Sequence, residues 1–282
     1  MGEPHARRKG VPPAIVCVVT SIVLLVAGML VHAIRHSAPE GAREPASSAE
    51  VATSLMHGVA WIWPDSNGPQ AARGNAAPYR EAAVLVESLM LRAGGVEHGG
   101  RTQPLALHTG VRLIPVVHVE AAGDAPAEFT PAQRDAIVAA VRRHAGTAAA
   151  GAGLLQLDFE APARQRDAYR ELVATVREAL PAGVRLSVTV LAHWCTQGDW
   201  LDRLPVDEVV PMLYRLGPYA DDWRRRFAQD DAGLARRCRG PALGFATNDP
   251  PSSALLARAA RPYWFDEAAW SNPSRPPRHS VP

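Results

Sequence analysis

Two carboxylates close a short apolar run in the middle of the chain. The run Leu154–Phe159 is typical of a buried strand, and Asp158 and Glu160 lie at its far end. Because side chains alternate across a strand, these two acids share a face with Gln156, and their Cβ atoms lie roughly 6 to 7 Å apart. Carboxylates this close perturb each other's pKa values, as acid/base catalysis requires. The structural alternative is a helix N-cap, for a helix that begins near Pro162.

Polar or aromatic side chains also follow the other segments that we predict as strands. These strand-end residues are Asp65, His118 with Glu120, His193 with Trp194, Tyr214 with Arg215, Asn248 with Asp249, and Trp264 with Asp266. In a (β/α)8 barrel the carboxyl ends of the strands converge on one mouth, where the active site is built. Taken singly, each histidine fits a structural role equally well, and a tryptophan is more often a core residue. Their recurrence at successive strand ends favours a shared mouth, with a sugar-stacking role for at least one tryptophan.

The elements that would hold these residues alternate along the chain. Strands are predicted at 59–63, 111–119, 154–159, 184–192, 206–214, 242–246 and 262–265, and helices at 130–146, 164–180, 222–237 and 253–260. The second strand region, 82–107, resembles a hairpin around Gly94-Gly95, with a helix over 81–92 as the alternative. An open parallel sheet and a closed barrel share this alternation. The polar strand ends favour an α/β fold of the (β/α)8 TIM type, complete or irregular.

The N-terminal region predicts a membrane anchor. Residues 1–13 are basic, and residues 14–34 carry no charge before Arg35 over a length that can cross a bilayer. A cleaved signal ending at Ala33 is the alternative. We expect a cytoplasmic N-terminus, a flexible linker over 35–54, a barrel domain over 55–270 in the periplasm or outside the cell, and a disordered tail over 271–282.

Composition excludes some classes of function. The net charge is only +2 and Lys9 is the only lysine, so there is no basic patch typical of a nucleic-acid-binding protein. Cys17, Cys195 and Cys238 lack the spacing of metal ligands, and no cofactor motif is present. We expect the last two to be buried free thiols, with a disulfide as the alternative if the domain is exported.

The same segments resemble the family-18 glycoside hydrolases, which are chitinase-like barrels. The resemblance lies in Leu157-Asp158-Phe159-Glu160, in the run from Asp207 to Tyr214, and in Tyr263-Trp264. It implies that Glu160 protonates the glycosidic oxygen, that Asp158 orients an acetamido group, that Tyr214 supplies a stabilising hydroxyl, and that Trp264 is the aromatic floor of the barrel. Gly153 and Gln156 stand where the family's first two acids would be, so the proton-relay part is missing.

A resemblance over a longer stretch, from about Val59 to Trp270, is to the domain of unknown function 3142, an uncharacterised bacterial envelope family. Its motifs here are Gln156-x-Asp158-Phe-acid-Ala, Arg166-x-x-Tyr169, the strand end from Leu191 to Cys195, and Pro211-Met212-x-x-Arg215. That family has no established activity, so this resemblance implies the fold more than the function.

The sequence therefore predicts a membrane-tethered, extracytoplasmic glycoside-hydrolase-like barrel that acts on an envelope or extracellular glycan, or on another small polar substrate. Its catalytic group would be Glu160, Asp158 and Tyr214, and its substrate contacts Trp63, Asp65, Glu120, Gln156, His193, Trp194, Arg215 and Trp264. The main alternative is a carbohydrate-binding or envelope-interaction barrel that has lost hydrolysis. A metal-dependent hydrolase built on His118, Glu120, Asp158 and His193 is a third hypothesis, and the oligomeric state is left open.

Overall fold

The computed structural model describes residues 44–63, 79–100 and 107–266. Asp65, Cys17, the predicted anchor over 14–34 and the predicted tail lie outside the described residues. Within the three described ranges, no helix has both the length and the apolar character needed to cross a membrane.

Eight parallel strands close into a barrel. The nine strands are β1 (Val59–Ile62), β2 (Glu81–Arg92), β3 (Gly95–Gly100), β4 (Arg112–Ala121), β5 (Leu154–Phe159), β6 (Arg185–Leu191), β7 (Glu208–Met212), β8 (Ala242–Ala246) and β9 (Arg261–Phe265). All except β3 pair in parallel in the order β1-β9-β8-β7-β6-β5-β4-β2, and β2 pairs again with β1. That last pairing closes the ring and decides between an open sheet and a barrel. The predicted TIM-type fold is confirmed.

The helices surround the ring unevenly. They are α1 (Ser48–His57), α2 (Pro131–Ala150), α3 (Arg166–Ala179), α4 (Ala220–Ala228) and α5 (Ser253–Arg258). Helix α2 starts with the predicted capping box, in which Thr130 and Gln133 each bond the other's backbone N–H. The predicted helix over 222–237 is shorter, because the chain leaves α4 through Asp230, whose φ is 52°. Between β6 and β7 the connection consists of 3-10 turns at Ala192–Thr196 and Trp200–Arg203.

The connection from β2 to β4 is a hairpin and not a helix. β2 is 12 residues long and pairs antiparallel with β3 beyond the barrel. Gly95 has a φ of 146°, which a side chain rarely tolerates, so Gly94-Gly95 makes the tight turn. Leu89 and Leu91 are buried in the outer apolar cluster that also contains α2. The hairpin prediction is confirmed, and the alternative of a helix over 81–92 is wrong.

Side-chain alternation along β5 divides polar from apolar groups as the sequence predicts. Leu155, Leu157 and Phe159 belong to the apolar layer between the strands and the helices. Gln156 and Asp158 point into the barrel, where their side chains bond residues of neighbouring strands. β5 therefore carries its chemistry inward and its packing outward.

A polar network fills the barrel toward the amino ends of the strands. Trp61 Nε1 donates to Gln156 Oε1 (2.7 Å), Gln156 Nε2 donates to Ser187 Oγ (3.1 Å), and Ser187 Oγ donates to Glu208 Oε1 (2.8 Å). Arg261 Nε lies 2.8 Å from Glu208 Oε2 and its Nη1 lies 2.5 Å from Glu81, which also pairs with Arg112. These contacts join strands on opposite sides of the ring. They also give each charged group in the buried network the partner that it needs.

Cys195 and Cys238 form a disulfide, with Cα atoms 5.9 Å apart. The expectation of two free thiols is wrong. Cys195 lies in the turn after β6 and Cys238 lies in a 3-10 turn before β8. The backbone bond from Ala235 N to Cys195 O holds the two segments together, which brings the residues within disulfide reach although 43 positions separate them.

Candidate functional site

Asp158 is the centre of the site and is held by two strands. His118 Nδ1 lies 2.8 Å from Asp158 Oδ2, and Thr189 Oγ1 donates to Oδ1 at 2.5 Å. His118 is the register partner of Asp158 on β4, and Thr189 lies on β6. The Asp158 side chain is only 8% exposed, so both carboxylate oxygens are fixed by protein donors. This is the orientation that a pre-organised carboxylate needs.

The electrostatic partner of Asp158 is a protonated histidine. Burial by itself lowers the pKa of His118, but the charge and hydrogen bond of Asp158, together with the nearby negative charge of Glu120, outweigh it and raise the pKa from 6.5 to about 9. At neutral pH the pair is therefore an ion pair inside the barrel mouth. His118 Nε2 is buried, lies 3.9 Å from Glu120 Oε2, and has no hydrogen-bond partner among residues 44–63, 79–100 and 107–266.

Glu160 lies at the rim and not inside the barrel. β5 ends at Phe159 and the Glu160 side chain is exposed. The 3-10 turn that follows has Pro162 as its N-cap and α3 has Gln165, and neither makes a side-chain capping hydrogen bond. The two acids of the motif therefore occupy different environments, one enclosed and paired with a cation, the other facing solvent.

Aromatic rings line the interior on the side of His118. Trp63 contacts the His118 ring (centroids 5.8 Å apart) and Phe265 (6.0 Å), both edge to face. Tyr214 stacks on Phe265 with centroids 5.6 Å apart and an angle of 22°. The Tyr214 hydroxyl donates to Met212 Sδ at 3.3 Å. The structure thus connects Tyr214 to Asp158 through a chain of ring contacts, and Trp63 and Tyr214 stay partly open to solvent.

Three of the predicted substrate contacts, Trp264, Gln156 and Trp194, are buried side chains. Trp264 is fully buried on the outside of the barrel, where Nε1 donates to Ser54 Oγ of α1 at 3.1 Å. Its neighbours Tyr263 and Phe265 face inward, because side chains of β9 alternate. Gln156 is fully buried with its amide used by Trp61 and Ser187. Trp194 is only 5% exposed and packs in the outer apolar cluster.

Three other predicted contacts, Glu120, His193 and Arg215, lie at or just after the carboxyl ends of β4, β6 and β7. His193 is exposed after β6, and burial followed by the positive charge of Arg166 lowers its pKa. Glu120, at the end of β4, has a side chain 34% exposed. Arg215 is exposed and adopts a φ of 53°, a conformation that favours glycine or asparagine. Asp65 lies outside the described residues.

Sequence reasoning missed two residues of the site. Thr189 was recognisable only as an inward-facing position on its strand, and no spacing indicated that it bonds Asp158. Phe265 directly follows Trp264, and the right strand face would have selected it in place of the tryptophan. No group of three or more His, Cys, Asp or Glu residues in the described part of the chain could hold a metal ion.

Comparison with known proteins finds that this chain is similar only to solved structures. No family model matches the chain, and no curated protein matches it. The fold is similar to the spore cortex-lytic enzyme SleL of Bacillus cereus, with 16% identity and a TM-score of 0.44, over 73% of this chain and 57% of that one. The chain thus spans little more than half the length of SleL.

Two plant chitinases have a similar fold. The catalytic domain of a family GH18 chitinase from the fern Peteris ryukyuensis has 13% identity and a TM-score of 0.45, over 77% of this chain and 94% of that one. A family 18 chitinase from Crocus vernus has 11% identity and a TM-score of 0.41, over 77% and 94% of the two chains.

Proposed function

We propose that this chain is a glycoside hydrolase of the extracytoplasmic space. Glu160 is its general acid, and Asp158 is the second carboxylate of the catalytic pair. The observation that carries the proposal is the Asp158–His118 ion pair, which fixes a carboxylate inside the barrel mouth two residues before an exposed Glu160. Glycoside hydrolysis needs one acid to protonate the leaving oxygen and a second group to stabilise or attack the sugar. The chain offers one exposed and one anchored carboxyl group at the end of one strand.

The ion pair has a direct consequence for acid catalysis. The negative charge of an unpaired Asp158 would strongly oppose ionisation of a neighbouring carboxyl group. The positive charge of His118 offsets this effect. Both oxygens of Asp158 already accept a hydrogen bond, so its direction is set before substrate arrives. Asp158 can still accept from an acetamido N–H through a remaining lone pair.

Two routes to the products fit the site. In the first, an N-acetyl group of the substrate attacks the sugar and Asp158 orients it, with retention of configuration. In the second, a more distant carboxylate activates water, with inversion; Glu120, near His118 at the end of β4, and Asp65 are the candidates. Tyr214 and Trp63 supply aromatic rings on this side of the barrel.

The second candidate function is a glycan-binding barrel without hydrolysis. The observation that favours it is the replacement of the family's two upstream acids by Gly153 and Gln156, together with the complete use of the Gln156 amide by Trp61 and Ser187. No acidic residue precedes Asp158 in β5, so the strand lacks the further acids that a proton relay would use. Glycan binding with no release of reducing ends would select this function over the first.

A membrane tether and an extracytoplasmic location complete the proposal. The basic segment before residues 14–34 and the length of that uncharged segment support it. The Cys195–Cys238 disulfide supports it independently, because such bonds persist in oxidising compartments. Membership of the envelope family named above is part of the same proposal and rests on the motifs quoted for it.

The test is hydrolysis by variants of the full chain. Chitin oligosaccharides and purified peptidoglycan are incubated with the protein, and new reducing ends are measured. Glu160→Gln is expected to abolish release while leaving the circular dichroism spectrum unchanged, and Glu171→Gln, at an exposed position of α3, is the matched control. Equal turnover by Glu160→Gln and the parent protein would remove Glu160 from the mechanism.

A further inference from the structure

A small pocket lies beside the mouth, between the segments that follow β5 and β6. Its walls are formed by Ala161, Ala163, Arg166, Tyr169, Trp194 and Trp200. Ala161 directly follows Glu160 in the chain, so the pocket is next to the proposed acid. Its space amounts to about 190 Å³, partly open to solvent, and the enclosed part is about the size of one water molecule.

Two polar atoms of the pocket walls lack partners. The Tyr169 hydroxyl and Trp200 Nε1 are both buried without a hydrogen bond anywhere in the described structure, and Tyr169 is fully buried. Leaving such a buried donor without a hydrogen bond is energetically unfavourable. Both side chains line the same pocket. One hydrogen-bond acceptor bound there would therefore satisfy both buried donors.

The chemistry of the pocket selects an acceptor with negative charge. An indole N–H can only donate. Burial, and secondarily the charge of Asp158, raises the pKa of Tyr169 well above its ordinary value, so its hydroxyl keeps the proton that it can donate. The Arg166 guanidinium lies 5.0 Å from the centre of the Trp200 ring and also donates to Gln197, and no acidic side chain lines the pocket.

Arg166 is the one permanent cation among the residues that line the pocket. The charge of Arg166 contributes to the lowered pKa of His193, which places the two side chains close enough to interact. An anion bound beside Arg166 would therefore face a permanent cation.

We propose that this pocket is a subsite for the carboxylate of an acidic sugar, with one oxygen entering between Tyr169 and Trp200 and the other facing Arg166. This proposal rests on the proposed function, since it names the substrate class as a glycan that contains uronic acid or another carboxylate-bearing sugar. The enclosed space accommodates a single oxygen atom, and the flat aromatic walls suit a planar group.

The test compares a sugar that carries a carboxylate with its neutral counterpart and with a sugar phosphate. Binding of methyl glucuronide, methyl glucoside and glucose 6-phosphate to the full chain is measured by tryptophan fluorescence and by NMR. We expect the glucuronide to bind at least about ten-fold more tightly than the glucoside, the effect of one hydrogen bond to a charged group. Equal binding of glucuronide and glucoside, or tighter binding of the phosphate, would overturn the proposal.

Variants separate a ligand subsite from a water site. Tyr169→Phe removes one hydroxyl, and we expect it to weaken glucuronide binding about ten-fold without loss of stability, because that hydroxyl has no partner among the described residues. Arg166→Gln should also weaken binding, and Arg170→Gln, an exposed arginine of the same helix, should not. Unchanged glucuronide binding in Tyr169→Phe would mean that the pocket holds only an ordered water, and would contradict the subsite.

The same measurements keep the two proposals distinguishable. Glu160→Gln should retain glucuronide binding, because Glu160 is not part of the pocket wall. Loss of hydrolysis in that variant with no preference for the glucuronide leaves the hydrolase in place and removes the subsite. Preference for the glucuronide, with no hydrolysis by the parent protein or any variant, supports the subsite and removes the hydrolase.

Discussion

His118 and Asp158 are register partners on adjacent strands, and their side chains meet 2.8 Å apart inside the barrel. The parallel pairing of β4 with β5 fixes this relationship, because partners in register present their side chains to the same face. Thr189 on β6 completes the arrangement from the other side. Three neighbouring strands thus hold one carboxylate, which is a firmer support than any loop can give.

The first prediction concerns pH. His118 has a pKa of about 9 in the folded protein against 6.5 as its ordinary value, so the stabilisation that it provides is full below pH 6.5 and is lost as pH rises through 9. The shift sets an upper limit of roughly 3 kcal/mol on this contribution. Urea unfolding of the parent protein and of His118→Gln at pH 6 and pH 10 measures it. The difference between the two proteins should be larger at pH 6, and a difference independent of pH would contradict the raised pKa.

The second prediction concerns packing in the barrel. A Cβ added at Gly244 of β8 would lie 2.7 Å from the buried ring of Trp61, whereas one added at Gly146 of α2 meets nothing within 4 Å. Gly244→Ala should therefore lower the free energy of unfolding by about 1–3 kcal/mol. Gly146→Ala should raise it by about 0.5–1 kcal/mol, because alanine favours a helix. Chemical denaturation of both variants checks the pair, and a tolerated Gly244→Ala would mean that the Trp61 ring can move.

The third prediction concerns the disulfide. Cys195 and Cys238 are 43 residues apart, and closing a loop of that length stabilises the folded state by about 4 kcal/mol in the chain-entropy model. Replacing both cysteines with serine should lower the free energy of unfolding by 2–4 kcal/mol. Thiol titration of the unfolded parent protein, before and after reduction, checks the bond itself. Reduction should release two further thiols, and an unchanged thiol count in exported protein would contradict the bond.

The sequence predicts the barrel well because its signals are repeated. The polar faces of β5 and β6, the capping box at Thr130 and the Gly94-Gly95 turn each depend on neighbours in the chain, and each is confirmed. Such local rules act over a few residues, so a single sequence contains them in full. The irregular connections follow less well, since the 3-10 turns after β6 depend on packing against the disulfide segment.

The sequence is a poor guide where a side chain's position depends on which face of a short strand it occupies, or on contacts between residues distant in sequence. Placing Trp264 at the barrel floor requires the face of a five-residue strand to be known, and a shift of one position exchanges inside for outside. The pairing of Cys195 with Cys238 depends on how two turns meet across 43 positions. His118 was recognised as a strand-end residue, but its charge depends on the register of β4 with β5 and on its burial.

The fourth prediction isolates the source of the His118 charge. Asp158→Asn removes the anion that contributes most to the raised pKa of His118 and leaves the burial that lowers it. The pKa of His118 should then fall from about 9, because burial, which lowers it, is opposed only by Glu120. NMR titration of the imidazole signals measures the change, with Asp167→Asn, an exposed position of α3, as the control that leaves it unaltered. A His118 pKa that stays near 9 in Asp158→Asn would assign the charge to Glu120 instead, and would move the electrostatic centre of the mouth from β5 to β4.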